Sequence, residues 1–117
     1  MLPKVFRTIH TPAVMAIAED RIARHGEIAQ TEKRPYVVWQ VITGSAFDNL
    51  SSAPGGDFTT VQIDCYHAKD EGVEQLANAV RAALDAVLIV NRVAVNNRDT
   101  ETKLYRIGLE ADFIDQR

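Results

Sequence analysis

The chain has 117 residues, 46% of them hydrophobic and 25% charged, with a formal net charge of −3. That length suits one domain, 1–117, with a modest core, and the acidic balance excludes the broad basic field that holds duplex nucleic acid. One cysteine, Cys65, excludes an intrachain disulfide and, within one copy, a four-cysteine metal site.

In chain order, Leu2, Val5, Phe6 and Ile9 share one face of a short predicted helix. Thr11 is placed to cap a second, with Pro12 at its first position and Ala13, Val14, Ala16, Ile17 and Ala18 in its body. Segment 21–30 admits a short edge strand around Ile22, ended by Gly26, and 31–35 is turn-like. Residues 36–42 read as a strand rich in β-branched and aromatic side chains. Val37, Trp39 and Val41 lie on one face and Tyr36, Val38 and Ile42 on the other, which suits a central strand covered on both sides.

The connection that follows, 43–57, spends fifteen residues where a two-residue hairpin loop would suffice. Long connections in small domains tend to grip a partner or lie free in solvent. This one carries Phe47 and Leu50 among Ser45, Ser51, Ser52, Pro54, Gly55 and Gly56, and it is the preferred assembly element, with Phe47, Leu50 and Pro54 as proposed contacts.

Residues 58–67 alternate, with Val61, Ile63 and Cys65 on the core face and Thr60, Gln62, Asp64 and Tyr66 opposite. Asp70 is the expected N-cap of a long helix, with Glu71 and Glu74 near its positive end. Its buried stripe is Val73, Leu76, Ala77, Val80, Ala83, Leu84 and Val87. Residues 88–95 read as a strand and 96–99 as a turn. A last strand, 104–113, puts Tyr105, Ile107, Leu109, Ala111 and Phe113 on the helix side, with Arg106, Glu110 and Asp112 opposite. The sum is an α+β domain: a mainly antiparallel sheet packed by a long helix after the central strands and by short N-terminal helices.

No catalytic constellation emerges. Asp64 and Cys65 face opposite sides of a regular strand, and no base or oxyanion site accompanies the thiol, so Cys65 reads as a small buried apolar residue. Cys65 and His67 share a side but supply no tetrahedral metal set, even with His10 or His25. Glu71–Glu74 and Glu110–Asp112 read as cap charge and solvated-face charge. Pro54-Gly55-Gly56 lacks the continuation of a phosphate-binding loop. The basic residues Arg21, Arg24, His25, Lys33 and Arg34 are interleaved with Asp20, Glu27 and Glu32, which makes them ordinary solvated charge. Trp39 reads as a core or interface residue. No cofactor, metal, membrane or direct nucleic-acid partner is expected. Lys4 and Arg7 precede no long apolar core, and 87–90 is too short to span a bilayer, so a soluble intracellular product is the expectation.

Several blocks, taken together, resemble the small tail-completion, or tail-terminator, proteins of long-tailed bacteriophages and prophages. They are Leu2-Pro3-Lys4-Val5-Phe6, Pro12-Ala13-Val14, Arg24-His25-Gly26, Pro35-Tyr36-Val37-Val38-Trp39 and Val61-Gln62-Ile63-Asp64-Cys65-Tyr66. Leu76-Ala77-Asn78-Ala79-Val80-Arg81, Arg98-Asp99-Thr100-Glu101-Thr102 and Leu104-Tyr105-Arg106 continue the series. The resemblance implies an α+β structural protein that assembles in the host cytoplasm into a six-fold ring at the head-proximal end of the virion tail. There it would meet the tail tube protein and a head-joining protein. Leu88-Ile89-Val90 is poorer in glycine than that family's helix-to-strand junction. The alternative reading is a small non-catalytic binding or regulatory module.

Overall fold

The computed structural model describes residues 4–29, 31–42 and 56–116. Their order is helix α1 (Val5–Ile9), helix α2 (Pro12–Ala18), strand β1 (Ile22–Arg24), strand β2 (Tyr36–Val41), strand β3 (Gly56–His67), helix α3 (Asp70–Ala86), strand β4 (Asn91–Arg98) and strand β5 (Tyr105–Gln116). The strands form one sheet in the order β1-β2-β3-β5-β4. β1 runs parallel to β2, and the other pairings are antiparallel. The expected α+β architecture is present. Its centre is β3, however, with β2 second from the edge.

The N-terminal helices follow from local chemistry. Thr11 is extended and accepts the Val14 N–H through Oγ1 at 3.4 Å, while Pro12 takes the first helical position, where its missing N–H costs nothing. Val5 and Ile9 are buried, but Phe6 is exposed and stacks on His10, contrary to the shared face expected for it. Adjacent helical residues diverge by about 100°. A five-residue helix can therefore seat its i,i+4 pair on the core while the residue between turns outward.

Helix α3 lays its stripe on β3 and β5, flanked by α1 and α2. Val73, Leu76, Ala77, Val80, Ala83 and Leu84 are buried, joined by Val37, Ile63, Cys65, Leu109 and others from the sheet. Val87, expected to complete the stripe, is 57% exposed. It is the C-cap, just past the last helical residue. The N-cap also differs from expectation. Lys69, not Asp70, is the cap and has no side-chain bond of its own; His67 Nδ1 accepts the Lys69 N–H at 3.0 Å instead. Asp70 and Glu71 still lie in the first turn, favourably placed against the helix dipole.

Two boundaries shift. Leu88 adopts φ 61°, donating its N–H to Asp85 O while Ile89 donates to Leu84 O, which together close the helix in the Schellman pattern. Residues 88–90 are thus helix exit, and β4 begins at Asn91. Asn96 and Asn97, expected in the turn, pair with Ile107 and Arg106 inside the ladder. The reversal sits later: Asp99 exchanges backbone hydrogen bonds with Leu104 and Lys103, its Oδ1 accepts the Glu101 N–H, and Lys103 has φ 64°.

The helix-free face is not bare. Tyr36, Val38 and Leu104 form a second small cluster there, with Ile28 and Tyr66 packed against it and the Tyr36 and Tyr66 rings stacked at 4.7 Å. The covering that β2 requires on this side therefore comes from Ile28, before β2, and from Leu104 at the β4–β5 turn. Lys33 ties the segment before β2 to that turn through a hydrogen bond to Thr102 O at 2.9 Å.

Candidate assembly surface

Asp64, Cys65 and His67 are neighbours in sequence, and the fold sends them to three different environments. Cys65 is fully buried between the sheet and α3, where burial, reinforced by the Asp64 charge, pushes its thiol well above the usual range. Such a thiol is neither nucleophile nor ligand at neutral pH. His67 lies against the start of α3, and a Cβ at Gly72 would run into its ring. His10 pairs with Asp20 at 2.8 Å, away from both. Among the described residues, no group of three or more His, Cys, Asp or Glu side chains could hold a metal ion. No helix among the described residues is long and apolar enough to cross a membrane.

His67 carries a pH dependence instead. Burial, and then the Lys69 charge, hold its pKa below the ordinary 6.5, and the protonated ring could no longer accept the Lys69 N–H at Nδ1. A depressed folded pKa means that this contribution is complete above the unfolded value and is lost as pH falls through the folded one. Thermal melts between pH 8 and pH 5 are expected to show a steeper acid loss in the wild type than in His67→Gln. Parallel curves would remove the role.

Asp64 lies on the helix-free face, only 3% exposed. Its carboxylate accepts hydrogen bonds from Gln62 Nε2 at 3.1 and 3.2 Å and from the Arg106 guanidinium at 3.2 Å. It lies directly over Gly108, where an added Cβ would come 2.6 Å from Oδ1. Glycine at 108 is thus what lets a carboxylate lie flat across β5. Farther along the same face Arg92 bridges Glu110 at 2.9 Å and Asp112 at 3.3 Å.

The basic residues of the 21–34 stretch are spent locally, and Arg21, only 15% exposed at its side chain, departs from the solvated reading. Arg21 donates to Pro35 O and pairs with Glu19, and Arg24 stacks over Trp39. Arg34 pairs with Glu32 at 2.7 Å and, through those hydrogen bonds, holds the Glu32 carboxyl down at about 2. No continuous positive face results from them.

What remains is an edge. β4 is the outermost strand beside β5, and Val93 on it is 49% exposed. The helix exit adds Val87, Leu88 and Val90, all exposed. A groove of about 330 Å³ runs between α3 and β4, with Ala77, Arg81, Val93, Asn96 and Ile107 among its lining residues. The strand expected over 88–95 is, in the fold, an edge strand that begins at Asn91. The contacts proposed from the sequence, Phe47, Leu50 and Pro54, lie outside the described residues; Gly56 and Asp57, counted with that connection, begin β3.

The tail completion protein gp17 family matches residues 5–114. The chain belongs to that family. The tail-completion resemblance carried by the sequence blocks is therefore correct. No curated protein matches the sequence. Among solved structures, a chain of the assembly titled "Virion of native gene transfer agent (GTA) particle" superposes with a TM-score of 0.69. The match covers 97% of this chain and 92% of that one at 17% identity, a likeness of fold. Among the described residues, the β4 edge and the helix exit before it carry the exposed Val87, Leu88, Val90 and Val93.

Proposed function

We propose that this protein caps the head-proximal end of a phage or prophage tail tube. There a ring of copies stops tube polymerisation and presents the head-joining surface. The family match across nearly the whole chain carries the reading. It makes the protein a structural component of a phage tail, and a related fold occurs in a solved virion-like particle. The partners are further copies of the chain, six in a ring, the tail tube protein and a head-joining protein, met in the host cytoplasm during assembly. The role is structural rather than catalytic, and it calls for no cofactor. The connection before β3, with Phe47, Leu50 and Pro54, is the proposed contact with the tube or a neighbouring copy.

Analytical ultracentrifugation and electron microscopy, with and without tail tubes, test this. The wild type is expected to form rings as concentration rises and to decorate one end of each tube. Phe47→Ala/Leu50→Ala is expected to keep its circular dichroism spectrum while association weakens roughly thirty-fold or more, since interface energy concentrates in a few apolar anchors. Unchanged association would remove the loop contact. A small defined complex with a non-tail partner, and no ring or tube-end binding at any concentration, would replace the capping role with that of a binding module.

A further inference from the structure

We infer that neighbouring copies join through opposite edges of the sheet: the β4 edge of one copy, bearing Val93 and preceded by Leu88 and Val90 of the helix exit, seats against the open end of β2 in the next, bearing Val41 and Ile42. The inference rests on the ring reading above and names the surfaces that would build the ring.

Both edges are open in the described chain. β1 pairs with β2 only across Val37–Trp39. Val37 donates its N–H to Arg21 O and Trp39 O accepts the His25 N–H, both on the β1 side. The two-residue period of a strand then aims the peptide groups of Val41 to that same side, beyond the end of β1. At the other edge the Asp112 N–H bonds Val90 O, and antiparallel alternation turns the peptide groups of Asn91 and Val93 outward. The bulge between Val93 and Val95 interrupts the register and limits the regular open edge to its first residues. The charge that commonly blocks an edge is drawn away here, because Arg92 is turned back onto Glu110 and Asp112.

The side chains match as well. Val41, 42% exposed, pairs with Val61 and so lies on the helix side of the sheet. Val93 pairs with Leu109 and lies on that same side. Joining the two edges would make the helix-covered face continuous from copy to copy.

Leu88 supplies an independent reason. It is 90% exposed and holds φ 61°, a conformation in which glycine would be unstrained. Within one copy a leucine there is costly twice over, in backbone strain and in exposed apolar surface. A neighbour covering the side chain would offset the exposure and give leucine, rather than the unstrained glycine, a reason to hold the position. A contact between two different edges is heterologous, so repetition closes a ring when the rotation allows, whereas a meeting of like edges would stop at a dimer.

Cysteine pairs test the geometry. In a Cys65→Ala background, Val41→Cys together with Val93→Cys is expected to give intersubunit disulfides, seen on non-reducing gels as a ladder up to the closed ring. Each single variant is expected to give none, since a disulfide needs Cα atoms within about 7 Å. A dimer from either single variant, or rings by ultracentrifugation without a ladder, would overturn the edge contact while leaving the ring reading standing. Absence of both rings and ladder in wild type and double variant would overturn the two together. Leu88→Gly is expected to melt no lower than wild type yet to associate at least tenfold more weakly. Unchanged association in that variant would count against the edge.

Discussion

Leu76→Ala and Leu84→Ala are each expected to lower the unfolding free energy by about 2–5 kcal/mol. Both side chains are fully buried, on the α3 stripe between the sheet and the two N-terminal helices. Truncation there forfeits the transfer energy of the missing methyl groups and leaves a cavity, because elements packed on several sides cannot all move inward to fill it. Against a total stability of about 5–15 kcal/mol for a domain, either change consumes a large share. Urea denaturation would show it as a lower midpoint at unchanged slope. Val87→Ala is the internal comparison, since the exposed C-cap should cost only a few tenths of a kcal/mol. Equal losses at 76, 84 and 87 would mean that the stripe does not pack as described.

Arg106→Met is expected to cost about 2–4 kcal/mol, less than the 3–5 of a wholly buried broken pair because part of the guanidinium reaches solvent. The loss comes from the partner left behind. Asp64 would keep its buried position over Gly108 and the Gln62 amide, but would lose the cation that offsets its desolvation. Asp64→Leu/Arg106→Met removes both charges and is expected to be more stable than Arg106→Met alone. A double-mutant cycle by urea denaturation measures the coupling directly. A neutral single variant would show that the pair contributes nothing to holding β3 against β5.

The elements that sequence reasoning placed well are those whose signals are short-range. Thr11 and Pro12 start α2 because a hydroxyl acceptor and a fixed φ act within one turn. Ile63 and Cys65 face the core because a strand alternates whatever its neighbours are. The misplacements share a cause too. Asn96 and Asn97 have turn propensity, yet their ladder partners on β5 override it. Leu88 ends α3 in a conformation that glycine usually signals, so no residue marked the boundary. Lys69 caps α3 through a histidine two residues back, a contact that capping preferences do not encode.

The candidate surface divides in the same way. The length and apolar content of 43–57, and the blocks shared with the tail-completion family, were legible because they are properties of consecutive residues. From the sequence by itself came the faces of the strands, the stripe of α3, the burial of Cys65 and the family. Only the tertiary structure decided that β4 lies at an edge, that β1 stops short of Val41, and that Asp64 meets Arg106 across Gly108. Strand order and cross-strand register are set by which long-range pairings bury the most apolar surface together, and a local period of two or 3.6 residues carries no record of that choice.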